Sequence, residues 1–260
     1  MAINQRVSTW QDTQQELSSE LLELQKQLFT VTSLTELGIN EAILDELVSS
    51  FDNLPADKYD LELYGWDEPK RFRAQTNAKV VLIDDAWSIE YLPQEAFTQS
   101  SAQDDQRAKP RLFEMIDSAV LQNAEFQKML IAGANMVRAQ FPYVTQLKIG
   151  IHQMLIVTKD SRDPATNSPE GMHQDGLNCP FIISAIPFVL EDVQGGTAES
   201  IIYASDKATE LWRGQLKRGQ VIFMDDMYLW HTVTPMGSEN ADILTRRGIF
   251  GFDFVILDSM

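Results

Sequence analysis

At 260 residues, with 44% hydrophobic and 23% charged side chains, the chain has the make-up of one globular domain with an ample core. Its formal charge of -17 argues against nucleic acid and anionic membrane surfaces as partners, because both call for a basic face. The single cysteine, Cys179, excludes an intramolecular disulfide, a thiol redox pair and a cysteine-rich metal site. Cys179 lies beside Pro180 at the head of an apolar run and reads as a buried structural thiol in a reducing compartment. No signal peptide is evident in the first twenty residues and no apolar run would span a bilayer, so a cytoplasmic protein is expected.

Leu17, Leu21, Leu24 and Leu28 recur at helical spacing and predict an amphipathic helix over Gln11–Phe29. Ile43, Leu44 and Leu47 predict a second one over Asn40–Phe51. Residues 53–73 change texture, with Pro55, Gly65, Pro69, the aromatics Tyr59, Tyr64 and Trp66, and the basic Lys70, Arg71 and Arg73. They read as a loop that either walls a pocket or is a solvated connection. Short strands are expected at Lys79–Ile83 and Ile89–Leu92, followed by a polar stretch at Thr98–Lys109. A long helical region then covers Leu112–Phe141, where Phe126, Leu130, Ala134, Val137 and Phe141 share a face and Gly133 is a weak point.

After Pro142 the period becomes two. Leu147, Ile149, Ile151, Gln153, Leu155 and Val157 alternate with Lys148, Gly150 and His152, which predicts a strand. Further strands are expected at Pro180–Leu190, Glu199–Ala204, Gly219–Asp225 and Arg247–Leu257, with a turn at Gln194–Thr197. Helices followed by five or six punctuated strands predict an α+β fold, a double-stranded β-helix (jelly roll) core buttressed by N-terminal and central helices. No repeat, low-complexity tract or linker divides the chain. Residues 1–260 therefore read as a single domain, with 1–55 a helical N-terminal extension.

The chemistry centres on Gly171-Met172-His173-Gln174-Asp175. His173 and Asp175 leave an extended segment on the same face, and His231 follows 58 residues after His173. Two histidines and one carboxylate with open positions form the ligand set of non-haem Fe(II) oxygenases. A His-x-Asp triplet is also common, and a non-catalytic jelly-roll module with both histidines in its core is the rival reading. A zinc hydrolase could use the same ligands, but no clear general base accompanies them. The remaining histidine, His152, reads as a hydrogen-bonded buried residue, or as support for a ligand, rather than a ligand itself. Arg246-Arg247 opens the last strand in the apolar context Gly248-Ile249-Phe250-Gly251-Phe252. A guanidinium entering a core needs an anion, its planar fork suits a carboxylate, and alternation turns only one of the pair inward. A dicarboxylate that chelates the metal at one end and meets the arginine at the other satisfies both demands.

Several stretches now line up: Gly150-Ile151-His152-Gln153, Met172-His173-Gln174-Asp175, Gly195-Gly196, Asp225-Asp226 running into His231-Thr232-Val233-Thr234-Pro235, and Arg247-Gly248-Ile249. In order and spacing they resemble the 2-oxoglutarate/Fe(II)-dependent dioxygenase family of the bacterial L-isoleucine 4-hydroxylase type. Weaker similarity runs upstream through Arg71-Phe72-Arg73 and the helix from Phe113 to Val137, so the likeness extends from about residue 55 onwards. The resemblance implies Fe(II), 2-oxoglutarate as cosubstrate and O2, with His173, Asp175 and His231 as iron ligands. It also implies an arginine on the distal carboxylate of 2-oxoglutarate. The residues that follow favour Arg247 and the count from His231 favours Arg246, so both stay open at this point. Thr234 or Gln153 is expected to add a hydrogen bond to the cosubstrate. The implied reaction is hydroxylation of an unactivated C–H bond in the side group of a free, aliphatic L-amino acid, with Arg71 or Arg73 meeting the substrate carboxylate. The same chemistry on a peptide or carrier-bound residue is the alternative. The expected partner is thus a small-molecule amino acid, and a homo-oligomer is compatible with the sequence.

Overall fold

The computed structural model describes residues 28–65, 67–98, 109–159, 164–175, 181–193, 195–237 and 243–257. Among them are ten strands: β1 (Phe29–Ser33), β2 (Arg71–Ile83), β3 (Ala86–Tyr91), β4 (Gln146–Thr158), β5 (Phe181–Glu191), β6 (Ser200–Tyr203), β7 (Glu210–Gly214), β8 (Gln220–Asp225), β9 (Trp230–Val233) and β10 (Thr245–Ile256). The helices are α1 (Ile43–Leu47), extended by a 3₁₀ turn at Val48–Phe51, α2 (Lys58–Tyr64), α3 (Ser118–Leu121) and α4 (Ala124–Gln140). Seven strands pair in the order β1-β8-β5-β10-β4-β2-β3, and β7-β6-β9 form a second, smaller sheet. Every pairing among these strands is antiparallel. This is the mixed helix-and-sheet jelly roll that the strand punctuation predicts.

Alternation gives the large sheet two unlike faces. On β10, Phe250, Phe252 and Phe254 turn towards α4 and the 3₁₀ turn, where Phe250 meets Phe51, Phe126 and Phe188 edge-on at ring-centroid distances of 4.9–5.2 Å. Gly133 of α4 belongs to this contact: a Cβ there would lie 2.1 Å from Phe254 Cζ, so its missing side chain seats the ring. The opposite face of the large sheet looks towards the small one, and Ile202 of the small sheet clusters with Ile222 and Met224 of the large. Between these sheets lies the cavity described below.

Several sequence expectations need correction. The helix over Gln11–Phe29 falls outside the described residues up to 27, and Phe29 itself begins a strand after Leu28 at φ 63°. Residues 53–73 are not simply a loop. Asp57 caps α2 by accepting from Tyr59 N, Gly65 ends it at φ 63°, and the 13-residue strand β2 already starts at Arg71. The region over Leu112–Phe141 is two helices, because the Asn123 side chain accepts from Glu125 N and Phe126 N and starts α4 afresh. β7 and β9 are two short strands beyond those expected, and His231 lies in β9. Cys179 and Trp66 lie outside the described residues. Among those described, no helix is long and apolar enough to cross a membrane.

Candidate active site

A two-way backbone pairing joins the histidines. His173 N donates to His231 O and His231 N to His173 O, each at 2.9 Å, and their rings stand 4.3 Å apart. His173 Nδ1 lies 2.8 Å from Gly171 O, and since a carbonyl can only accept, Nδ1 carries the proton and Nε2 keeps its lone pair. His231 Nδ1 faces Asp226 Oδ1 at 3.4 Å, which turns its Nε2 inward to within 3.6 Å of Asp175 Oδ2. The other oxygen, Asp175 Oδ1, is 3.9 Å from His173 Nε2. Buried Asp226 also accepts from Asp175 N through Oδ2 at 2.8 Å, and from Gln174 Nε2 through its main-chain oxygen at 2.7 Å. One carboxylate thus orients a histidine and the segment that carries the aspartate, the support commonly found behind metal ligands.

The ligating atoms of His173, Asp175 and His231 all lie within 4.8 Å of one another. Burial, and then the His231 ring, pull the His173 imidazole below its ordinary pKa, favouring the neutral form that binds a metal. The donor set and the inward Nε2 atoms therefore fit a divalent iron at one face with its other positions open. Glu170 Oε1 also approaches His173 Nε2, at 3.2 Å.

The cluster opens on a cavity of about 180 Å³ between the sheets, many times the ~10–15 Å³ that one water occupies. Ile183, Ile202, Ile222, Met224 and Ile249 give it apolar walls. Arginines supply the rest. Arg247 is 2% exposed, and its Nε and Nη1 have no hydrogen-bond partner among the described residues. Burial alone lowers its pKa to about 10. Its neighbour Arg246 points to the opposite side and pairs with Glu191, 2.9 Å away, and with Asp52. Of the two, only Arg247 lines the cavity.

Arg71 and Arg73 both reach the cavity from β2, in unlike states. Arg71 is held by Asp57 at 3.2 Å and Asp60 at 2.5 Å. Arg73 bonds His152 Nδ1 at 2.8 Å, stacks on Phe97 and Phe113, and has no ion pair among the described residues. Gln153 does not face the cavity: it is one residue out of phase with His152 and Met154, and its Nε2 donates to Ser50 Oγ at 2.7 Å. Thr234 Oγ1 accepts from Glu199 N at 2.9 Å, which ties a loop to the start of β6. Neither side chain lines the cavity. Phe97, Arg111, Glu170 and Asp253 line the cavity without having been singled out in the sequence, since none sits in a recognisable motif.

The 2OG-Fe dioxygenase family matches residues 48–253. The chain belongs to that family, and its reaction uses Fe(II), 2-oxoglutarate and O2. Among solved structures it is similar to a bsmA homologue from Methylobium petroleophilum PM1, with 18% identity and a TM-score of 0.77 over 92% of this chain and 93% of that one. IDO from Bacillus thuringiensis is 16% identical, with a TM-score of 0.69 over 99% and 100% of the two chains. The Fe(II)/α-ketoglutarate-dependent dioxygenase TqaL is 13% identical, with a TM-score of 0.68 over 96% and 91%. At such identities these likenesses establish the fold. No curated protein sequence gives a match.

Proposed function

We propose that this dioxygenase hydroxylates an unactivated C–H bond in the side group of a free, aliphatic L-amino acid, with His173, Asp175 and His231 holding the iron. One observation carries the reading: two buried arginines without an ion pair among the described residues, Arg247 and Arg73, line the cavity onto which the His-Asp-His cluster opens. A buried, unpaired guanidinium is unfavourable until an anion reaches it, so two of them call for two anionic groups. Arg247 meets the distal carboxylate of 2-oxoglutarate. Arg73 meets the carboxylate of the substrate, because Arg71 is already neutralised by Asp57 and Asp60. Glu170, on the same cavity wall, supplies the negative charge that the ammonium of a zwitterion needs.

When bound, iron and 2-oxoglutarate supply the oxidation: O2 is consumed, and the products are succinate, CO2 and the hydroxylated substrate. The protein supplies position and dryness. Gly171 O holds the His173 proton on Nδ1, and the Asp226 carboxylate faces His231 Nδ1, so that both Nε2 atoms face the metal position. The apolar walls exclude water and suit an aliphatic side group.

The test is succinate formation with Fe(II), 2-oxoglutarate and ascorbate across the proteinogenic L-amino acids, with products weighed by mass spectrometry. At least one aliphatic amino acid should stimulate turnover and emerge one oxygen atom heavier. Stimulation by dipeptides and by no free amino acid would overturn the substrate assignment.

A further inference from the structure

On the cavity side of the large sheet, three side chains from three adjacent strands form one hydrogen-bonded line. Asp253 Oδ2 of β10 lies 2.7 Å from His152 Nε2 of β4, and His152 Nδ1 lies 2.8 Å from Arg73 Nη2 of β2. A guanidinium only donates, so Nδ1 must accept. The single proton of the neutral ring then sits on Nε2 and is given to Asp253. A protonated imidazole would set two donors against each other at Nδ1, so the two neighbours permit one tautomer of the uncharged ring.

The surroundings are shaped to this line. Gly150 faces Asp253 across the ladder, and a Cβ there would come within 3.2 Å of Asp253 Oδ2 and 3.4 Å of His152 Nε2. Any side chain at that position would press on the bond between them. Phe97 stands edge-on to His152 at 4.9 Å, and the Arg73 Cζ lies 5.2 Å from the Phe97 ring and 4.3 Å from that of Phe113. Arg73 is 7% exposed, and its Nε has no partner among the described residues.

The contrast with Arg71 gives the line its meaning. Direct carboxylates fix Arg71 and cancel its charge. A neutral imidazole placed between Arg73 and Asp253 fixes a guanidinium without bringing an anion into contact with it. We infer that Asp253 and His152 are positioning residues that hold Arg73 aimed into the cavity, still charged, as the receptor for a substrate carboxylate. This deepens the reading above and rests on it only in that the substrate carries a carboxylate.

The experiment uses anaerobic protein loaded with Fe(II) and saturating 2-oxoglutarate, titrated calorimetrically with pentanoate, pentanamide and L-norvaline. Wild type should bind pentanoate about tenfold or more tighter than pentanamide, the scale of a charge-assisted contact. Arg73→Gln should erase that preference, and His152→Leu and Asp253→Asn should each weaken pentanoate about tenfold while the affinity for 2-oxoglutarate holds. His152→Asn, whose amide oxygen can accept from Arg73 in place of Nδ1, should keep most of the preference. The inference falls if wild type binds acid and amide alike, or binds neither. It falls equally if His152→Leu and Asp253→Asn bind pentanoate like wild type, or lose 2-oxoglutarate as well, which would mark a merely structural role. L-Norvaline separates the two readings: if it binds no tighter than pentanoate, the amino-acid assignment fails while the Arg73 receptor stands.

Discussion

Along β10, alternate side chains belong to two different kinds of interior. Phe250, Phe252 and Phe254 face the helices and are almost wholly buried against other aromatic rings. Arg247, Ile249, Gly251 and Asp253 face the cavity, where Arg247 is as deeply buried as the phenylalanines yet lacks a counter-ion among the described residues. The helix face is complete as folded: its packing supplies stability and asks for nothing further. On the cavity face the protein keeps buried charge without a counter-ion among the described residues, which an anionic ligand would match.

Substitutions should separate the two faces cleanly. The largest expected effect is on the metal cluster: Asp175→Ala should reduce iron-dependent succinate formation to background while the urea unfolding midpoint stays near wild type. A midpoint that falls along with activity would show that the cluster holds the fold as well. On the helix face the signature reverses. Phe254→Ala should cost about 3–5 kcal/mol in urea unfolding, and Gly133→Ala about 1–3 kcal/mol because the new methyl meets the Phe254 ring.

Two smaller effects sharpen the comparison. Arg247→Met should leave metal-free, ligand-free stability unchanged or raised, since it removes an unpaired buried charge. Arg246→Met should cost about 1 kcal/mol, as expected when a half-exposed ion pair is removed. Chemical denaturation would place both. The last effect concerns Asp60. Its pKa is raised from 3.8 to about 6 chiefly by burial, with Arg71 opposing and Asp57 adding to the rise. A raised native pKa means that the native state holds a proton the unfolded polypeptide has released. The stability contributed by Asp60 is therefore fully present below about 3.8 and lost as pH rises through about 6. Asp60→Asn should flatten the pH dependence of unfolding in that window, and an unchanged slope would assign it to other groups.

What the sequence made legible follows the same division. β4 and β10 could be read because both strands alternate between a core face and a cavity face with distinct residue types. Only the second half of β2 is legible, because Arg71, Arg73 and Gln75 in its first half are polar and resemble a loop; all three are buried. The His-x-Asp and distal histidine were legible as a set because the chemistry of iron limits which residues can serve. The link between His152 and Asp253 was not, because it spans 101 positions and is created by strand register alone. The choice between Arg246 and Arg247 could not be made by counting. In the structure Arg247 lines the cavity, whereas Arg246 pairs with Glu191 and Asp52 on the other side of the sheet.

Anaerobic titration of 2-oxoglutarate into Fe(II)-loaded protein, followed by its visible absorbance, bears most directly on the claim that the buried cations of the cavity face are ligand receptors. Wild type should take up one equivalent, and Arg247→Met should bind it on the order of a hundredfold more weakly, the loss expected for a desolvated charge-assisted contact. Equal affinity in the two proteins would contradict the claim.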